Sequence, residues 1–350
     1  MKDRIRRTLA LLAAAGLAVS AAAGEGMVTE EILPGEAAVV TEKDGWHFDA
    51  KGFLTGENPG EAYLSEDEEN GVWQYATADL SIRVTRFEDP VENGKKKKSS
   101  SVRLYCVAEV YASERSPLFS IMTPEPEGSP RPDGYRLVEP EDLVEEFPVI
   151  LAMSDDYYGY RQYRRDLKKA TWPTGIILRN GEIFYTKTRN SSKKRDFPPL
   201  DTLAVYPDGS MKVRVCDEMT AEEYLEQGAT QVFSFGPWLI RDGQRNENVA
   251  EYSAMGNSEP RAVIGMVEPF HYILMVVGMP TDNKNVGASG DWIIDKLLEY
   301  GCTEALNLDG GGTATMVFNG KTLIQGRWDK QKRPLGSMIA FGPLDSFGGD

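Results

Sequence analysis

Apolar and polar residues alternate in short stretches along most of this chain, and glycine-rich turns separate the stretches. Residues 80–84 (Leu-Ser-Ile-Arg-Val) and 102–110 repeat with the period of two expected of a half-buried strand. Three pairs of such stretches flank turn signals: Asn180-Gly181, residues 207–210 (Pro-Asp-Gly-Ser) and Asn319-Gly320. Asn-Gly adopts the positive φ angles of a two-residue hairpin, so each pair predicts antiparallel pairing. Helical signals are fewer. One helix is predicted over 140–147. A second opens at the Thr220–Glu223 capping box and stops at Gly228. A third covers 290–300, where Trp292, Ile293, Leu297 and Tyr300 share a helical face and Gly301 ends the run. Nothing repeats at a solenoid or propeller period. The pattern predicts an α+β fold, a mostly antiparallel sheet with several hairpins and a few helices, in one domain over roughly 71–345.

The N-terminus reads differently. Lys2, Arg4, Arg6 and Arg7 precede an apolar run over 9–19 and a small-residue stretch, Ala21-Ala22-Ala23. This predicts a secretory signal over 1–23 and a secreted or extracytoplasmic protein with no stable membrane span after cleavage; an uncut N-terminal anchor is the alternative. Residues 24–70 are acidic and turn-rich and are expected to form a lead-in that wraps the domain.

Charge and composition narrow the chemistry. The net charge of −15 opposes binding to nucleic acid, which requires a basic face. It leaves room for a small anionic ligand, because a few local cations dominate a pocket. Cys106, Cys216 and Cys302 lack metal-ligand spacing and are expected as buried free thiols rather than a disulfide with one spare. With only two histidines, His47 and His271, the material for a two-metal centre is poor. No cofactor is required on this reading; a structural calcium stays open, and the metal content is undetermined.

Four segments could carry chemistry. In residues 305–317 an apolar stretch delivers Asn307 and Asp309 and then Gly310-Gly311-Gly312-Thr313. The triglycine allows a bend whose N–H groups could converge on an anion, with the Thr313 hydroxyl adding a donor. A glycine-rich turn with a surface aspartate competes with this reading about equally. In residues 150–161 an apolar stretch ends at Asp155-Asp156-Tyr157; an extended backbone would point only one of the two carboxylates at a site. Residues 233–240 are broken by Gly236-Pro237, either a structural turn or a place where backbone meets ligand. In residues 260–268, Arg261 heads an apolar stretch that ends at Glu268; its fork suits a phosphate, and a structural ion pair is the alternative. His271 opens the next stretch, where a lone histidine is more often structural than catalytic.

Together and in this order, NLDGGGTATMVFNGK, FSFGPWLIRDG, PRAVIGM and LAMSDDYYG resemble the phosphodiester glycosidase family, from about Leu104 to the C-terminus. The resemblance implies a single catalytic domain that hydrolyses a sugar-1-phosphodiester or envelope glycan, releasing the sugar and leaving a phosphomonoester. It implies that Arg261 clamps the phosphate, that Asp309 with Gly310, Gly311, Gly312 and Thr313 forms the pocket floor, that Asp156 and Tyr157 lie on the rim, and that Gly236 closes a wall. Asn307 and His271 are further candidates for substrate contact. Asp309, then Asp156, then Glu268 are the candidate catalytic carboxylates. One departure stands out: Asp155 occupies the place of a glycine in the family pattern, which puts an extra negative charge at one wall. A non-catalytic envelope or glycan-binding module on the same fold is the competing reading.

Overall fold

A computed structural model describes residues 42–56, 61–91, 101–123, 137–156, 175–186, 200–252, 255–279, 286–327 and 333–343. Tyr157 and residues 1–23, expected as a secretory signal, lie outside them. The expected hairpins form for local reasons. Asn180 and Gly181 have φ of 50° and 82°, Asn319 and Gly320 of 46° and 75°, the mirror-image turn that matches strand twist.

Three large antiparallel sheets carry the domain. The widest has nine strands, ordered Gln244–Arg245, Trp238–Arg241, Glu304–Leu308, Arg261–Glu268, His271–Gly278, Ser101–Tyr111, Ser81–Val91, Val72–Ala76 and Tyr63–Asp67. Its last strand, Tyr63–Asp67, comes from the stretch expected as lead-in, so the sheet begins eight residues before the expected boundary at 71. One five-stranded sheet is ordered Glu182–Tyr185, Ile177–Arg179, Gln231–Phe235, Asp201–Val205, Met211–Arg214. The other is ordered Lys321–Gln325, Thr315–Phe318, Leu151–Ser154, Ser337–Phe341, Phe119–Met122. A small sheet of Glu42–Lys43, Trp46–Phe48 and Leu54–Thr55 precedes them.

Alternation decides which side of each strand is buried. Ala262, Ile264, Leu274, Val276, Leu306 and Leu308 point inward from the nine-stranded sheet, toward Leu203 and Phe233 of one five-stranded sheet and Met153, Ile339 and Phe341 of the other. This is the main core. The opposite face of the nine-stranded sheet is covered by helix α3 (Gly290–Glu299), whose Ile293, Ile294 and Leu297 pack on Val263, Met275 and Ala305. Helices α1 (Pro140–Glu145) and α2 (Ala221–Glu226) cover the two five-stranded sheets. The three helices match the three predicted starts, and both halves of the Thr220–Glu223 capping box are made. Cys106 and Cys302 are buried, Cys216 is partly buried, and all three are free thiols. No helix among the described residues is long and apolar enough to cross a membrane.

The Thr220 hydroxyl accepts from the Glu223 amide, which α2 would otherwise leave unpaired. Thr220→Ala should therefore lower stability by about 1 kcal/mol. The check is a denaturant melt, in which the midpoint falls and the slope stays unchanged.

Candidate active site

The candidate residues gather where one end of the nine-stranded sheet meets the two five-stranded sheets. Glu304–Leu308 and Arg261–Glu268 pair with Leu308 opposite Ala262. The Gly311 amide then donates to the Pro260 carbonyl at 3.0 Å, which holds the backbone just after Asp309 against the start of the Arg261–Glu268 strand. The Asp309 amide donates to the Asp155 carbonyl at 3.0 Å, which ties this corner to the end of the Leu151–Ser154 strand.

The glycines serve close approach more than anion binding. A Cβ on Gly310 would stand 2.6 Å from the Pro260 carbonyl oxygen, and Gly311 sits at φ +61°. Gly326 passes so close to the Gly311 carbonyl that any side chain there would collide with backbone. Because the Gly311 amide bonds Pro260 and the Thr313 amide bonds the Gly310 carbonyl, the expected converging N–H nest is not available from these two donors. Gly312 has a different neighbour. Its missing side chain makes room for Arg333, whose Nε would stand 2.8 Å from a Cβ. Arg333 Nη1 donates to Thr313 Oγ1 at 3.3 Å. Arg333 was not among the residues singled out from the sequence. Lys330 and Lys332 precede it, and nothing local marks it.

Arg261 is placed as expected and bonded otherwise. It is only 6% exposed. Nε donates to the Ala288 carbonyl and Nη2 to the Asn257 carbonyl, each at 2.9 Å, and Nη1 reaches Met255 Sδ at 3.2 Å. These bonds pin the approach to α3 onto the sheet, so Arg261 is an anchored guanidinium rather than an open clamp. Burial depresses its pKa and Glu259 opposes that shift; an arginine keeps its charge under both.

Asp156 corrects the rim assignment. The chain bends after Ser154, so both neighbouring carboxylates turn inward, contrary to the expectation for an extended backbone. Arg179, fully buried, forms ion pairs with both Asp155 and Asp156. Asp156 Oδ1 also accepts from the Ser234 amide, and Asp155 Oδ2 from the Ser337 hydroxyl at 2.6 Å. Arg179 donates further to the Val232 and Leu178 carbonyls and lies over the Phe233 ring. Asp155 is thus turned to buried partners rather than presented at a wall, although one guanidinium offsets only one of the two carboxylate charges.

Gly236 and Asn307 form the next wall. Gly236 has φ +104°, and a side chain there would press on Asp201 at 3.2 Å. Its amide bonds the Asn307 carbonyl at 3.0 Å, and Asn307 Nδ2 donates to the Gly236 carbonyl at 2.8 Å. Asn307 Oδ1 is buried without a hydrogen-bond partner. Asp201, also not anticipated, accepts from the Trp238 and Cys216 amides; burial raises its pKa and those two bonds pull it down.

Two candidates do not belong here. Glu268 and His271 lie at the other end of the Arg261–Glu268 and His271–Gly278 hairpin, roughly 20 Å from Arg261 at ~3.3 Å per residue. Glu268 is half exposed and paired with Lys51. His271 Nε2 lies 2.9 Å from Glu109 Oε1, and its ring stacks on Tyr111. The sequence reading grouped them with Arg261 by proximity in sequence, but a strand carries its two ends apart. Among the described residues no group of three or more His, Cys, Asp or Glu is arranged to hold a metal.

The family model for phosphodiester glycosidases matches residues 148–342, a span that contains Asp156, Arg179, Asn307, Asp309 and Arg333. The SPbeta prophage-derived uncharacterized protein YomE of Bacillus subtilis is 26% identical over 151 residues, 41% of this chain and 23% of that protein. The match therefore spans about a quarter of that relative's length. The zebrafish N-acetylglucosamine-1-phosphodiester α-N-acetylglucosaminidase catalytic domain, auto-inhibited by its pro-peptide, superimposes with a TM-score of 0.53. That superposition has 16% identity and covers 80% of this chain and 87% of that one; at this identity the likeness is one of fold.

Arg179 is the only guanidinium paired with Asp155 and Asp156 among the described residues. Arg179→Met would leave two buried carboxylates uncompensated and should lower stability by about 3–5 kcal/mol, measured by denaturant unfolding.

Proposed function

Since the chain belongs to the phosphodiester glycosidase family, we propose that it hydrolyses a sugar-1-phosphodiester at the glycosidic C1–O bond, releasing the sugar and leaving a phosphomonoester. The observation that carries this reading is the corner where the Asp309–Gly311 backbone meets the Pro260–Arg261 strand start while Arg333 crosses Gly312 and bonds Thr313. A carboxylate and two guanidinium groups there suit a reaction that develops positive charge on a sugar and negative charge on a departing phosphate.

The roles follow from the surroundings. Arg333 and Thr313 offer donors to the phosphate, and Arg261, tethered beneath, adds positive potential without leaving its backbone partners. As the C1–O bond breaks, its electron pair passes to the phosphate, and the oxocarbenium-like sugar is stabilised by the Asp309 carboxylate. Water supplies the new oxygen on C1, and its proton leaves to the phosphate or to solvent. The buried Asn307 Oδ1, without a hydrogen-bond partner among the described residues, is our candidate acceptor for a hydroxyl or amide N–H of the sugar. Asp156, held by Arg179 and Ser234, positions this corner rather than reacting in it. The leader-like residues 1–23 support an extracytoplasmic setting, where envelope glycans bearing phosphodiesters are the fitting substrates.

Assays on a UDP-linked α-N-acetylglucosamine in ¹⁸O-water should place the label in the released sugar and not in the phosphate. Asp309→Asn should lower kcat by about 10²–10³. Arg333→Ala should lose a charge-assisted bond to the phosphate of about 1.5–3 kcal/mol, read as reduced kcat/KM. Turnover that survives both changes would remove this corner as the site. Binding of glycan phosphodiesters without release of sugar would instead favour the glycan-binding module.

A further inference from the structure

A cavity lies on the outer face of the nine-stranded sheet, beneath the small N-terminal sheet and toward the Tyr111–His271 end of the strands. Its volume is about 60 Å³, space for a few waters or one carboxylate- or phosphate-sized group. Lys43, Lys51 and Arg83 line it together with Phe48, Tyr63 and Tyr111.

Arg83 is the informative residue. It stands directly across the ladder from Glu109, the natural ion-pair partner. Yet Glu109 Oε1 is drawn aside, 2.9 Å from His271 Nε2 and 3.4 Å from the Tyr111 hydroxyl. Among the described residues Arg83 makes neither a hydrogen bond nor an ion pair, although Glu109 and Tyr300 act on it at longer range. The other two cations are committed, Lys43 to Gln74 and Lys51 to Glu268. A partly buried guanidinium with uncommitted donors, in a cavity rimmed by two ammonium groups and aromatic rings, is a fork without its anion.

We propose that this cavity is an oxyanion site, separate from the Asp309 corner, in which Arg83 binds one carboxylate or phosphate group, free or borne on a sugar. The Lys43 ammonium, bonded only to the neutral Gln74 amide oxygen, adds positive potential at its mouth, while Lys51 is offset by Glu268. Two acids line the cavity and oppose binding: Glu109, across the ladder from Arg83 and engaged by His271 and Tyr111, and Asp49, whose Oδ1 accepts from the Lys51 and Phe53 amides; together they set the affinity low. The site does not depend on the hydrolase reading, because it shares no residue with that corner.

The test uses the full chain and two variants. Inorganic phosphate and a hexose 6-phosphate are titrated against the melting temperature, and crystals are soaked in selenate. Arg83→Gln should weaken the phosphate-dependent rise by about 10- to 100-fold in apparent affinity, the loss of one charge-assisted pair. Glu109→Gln, which keeps an oxygen for His271 and removes one opposing charge, should tighten it several-fold. Selenate should appear within hydrogen-bonding distance of Arg83. Equal affinity for the two ligands assigns a free anion, and tighter binding of the sugar phosphate assigns a glycan-borne group. Selenate absent from the cavity, or a phosphate response unchanged in both variants, overturns the proposal. The opposite signs expected for the two variants separate anion binding from a general loss of folding.

Discussion

A single buried guanidinium joins the parts on which the candidate site depends. Arg179 comes from one five-stranded sheet and pairs with Asp155 and Asp156 at the end of a strand in the other. The Asp155 carbonyl then accepts the Asp309 amide from the nine-stranded sheet. Three sheets are thus registered to one another through one short polar chain. Two carboxylates taken from water need such a partner, and once paired they tolerate little displacement. The position of Asp309 is fixed from behind by this requirement.

Around that joint, glycine provides proximity. Gly310 lets the loop pass the Pro260 carbonyl, Gly326 lets a neighbouring strand end pass the Gly311 carbonyl, and Gly312 lets Arg333 lie across the loop. The positive field of the corner comes mainly from side chains of distant segments and less from converging amides. Arg261 is held by carbonyls and Arg333 by a hydroxyl, so the two arginines differ in how freely they reach a ligand. Positioning and binding are divided between them.

The secondary structure was largely legible because its signals are local. Asn180-Gly181 and Asn319-Gly320 dictate their turns, and Thr220 with Glu223 dictates a helix start. The segment resemblance pointed to Asp309 and Arg261 together, and the fold brings the backbones of those two segments to one corner. The errors have one origin, the step from chain proximity to spatial proximity. Glu268 and His271 adjoin in the hairpin, but strand length carries them away from Arg261. Asp155 and Asp156 were read with extended geometry, and a bend turned both inward to Arg179. Arg333 and Asp201 had no local signature, because what distinguishes them is a neighbour far away in sequence.

By itself the sequence determined the α+β class, the hairpins, the helix starts and the membership suggested by its glycine-rich segments, since backbone preference and hydrophobic period act over a few residues. Tertiary structure alone decided which charges are neutralised, which donors remain open and which carboxylate stands beside which arginine. Those outcomes depend on burial and on contacts between residues many positions apart. The same pairing rule accounts for two arginines that the sequence left unremarked: Arg179 found two acids, and Arg83 lost its cross-strand acid to a histidine.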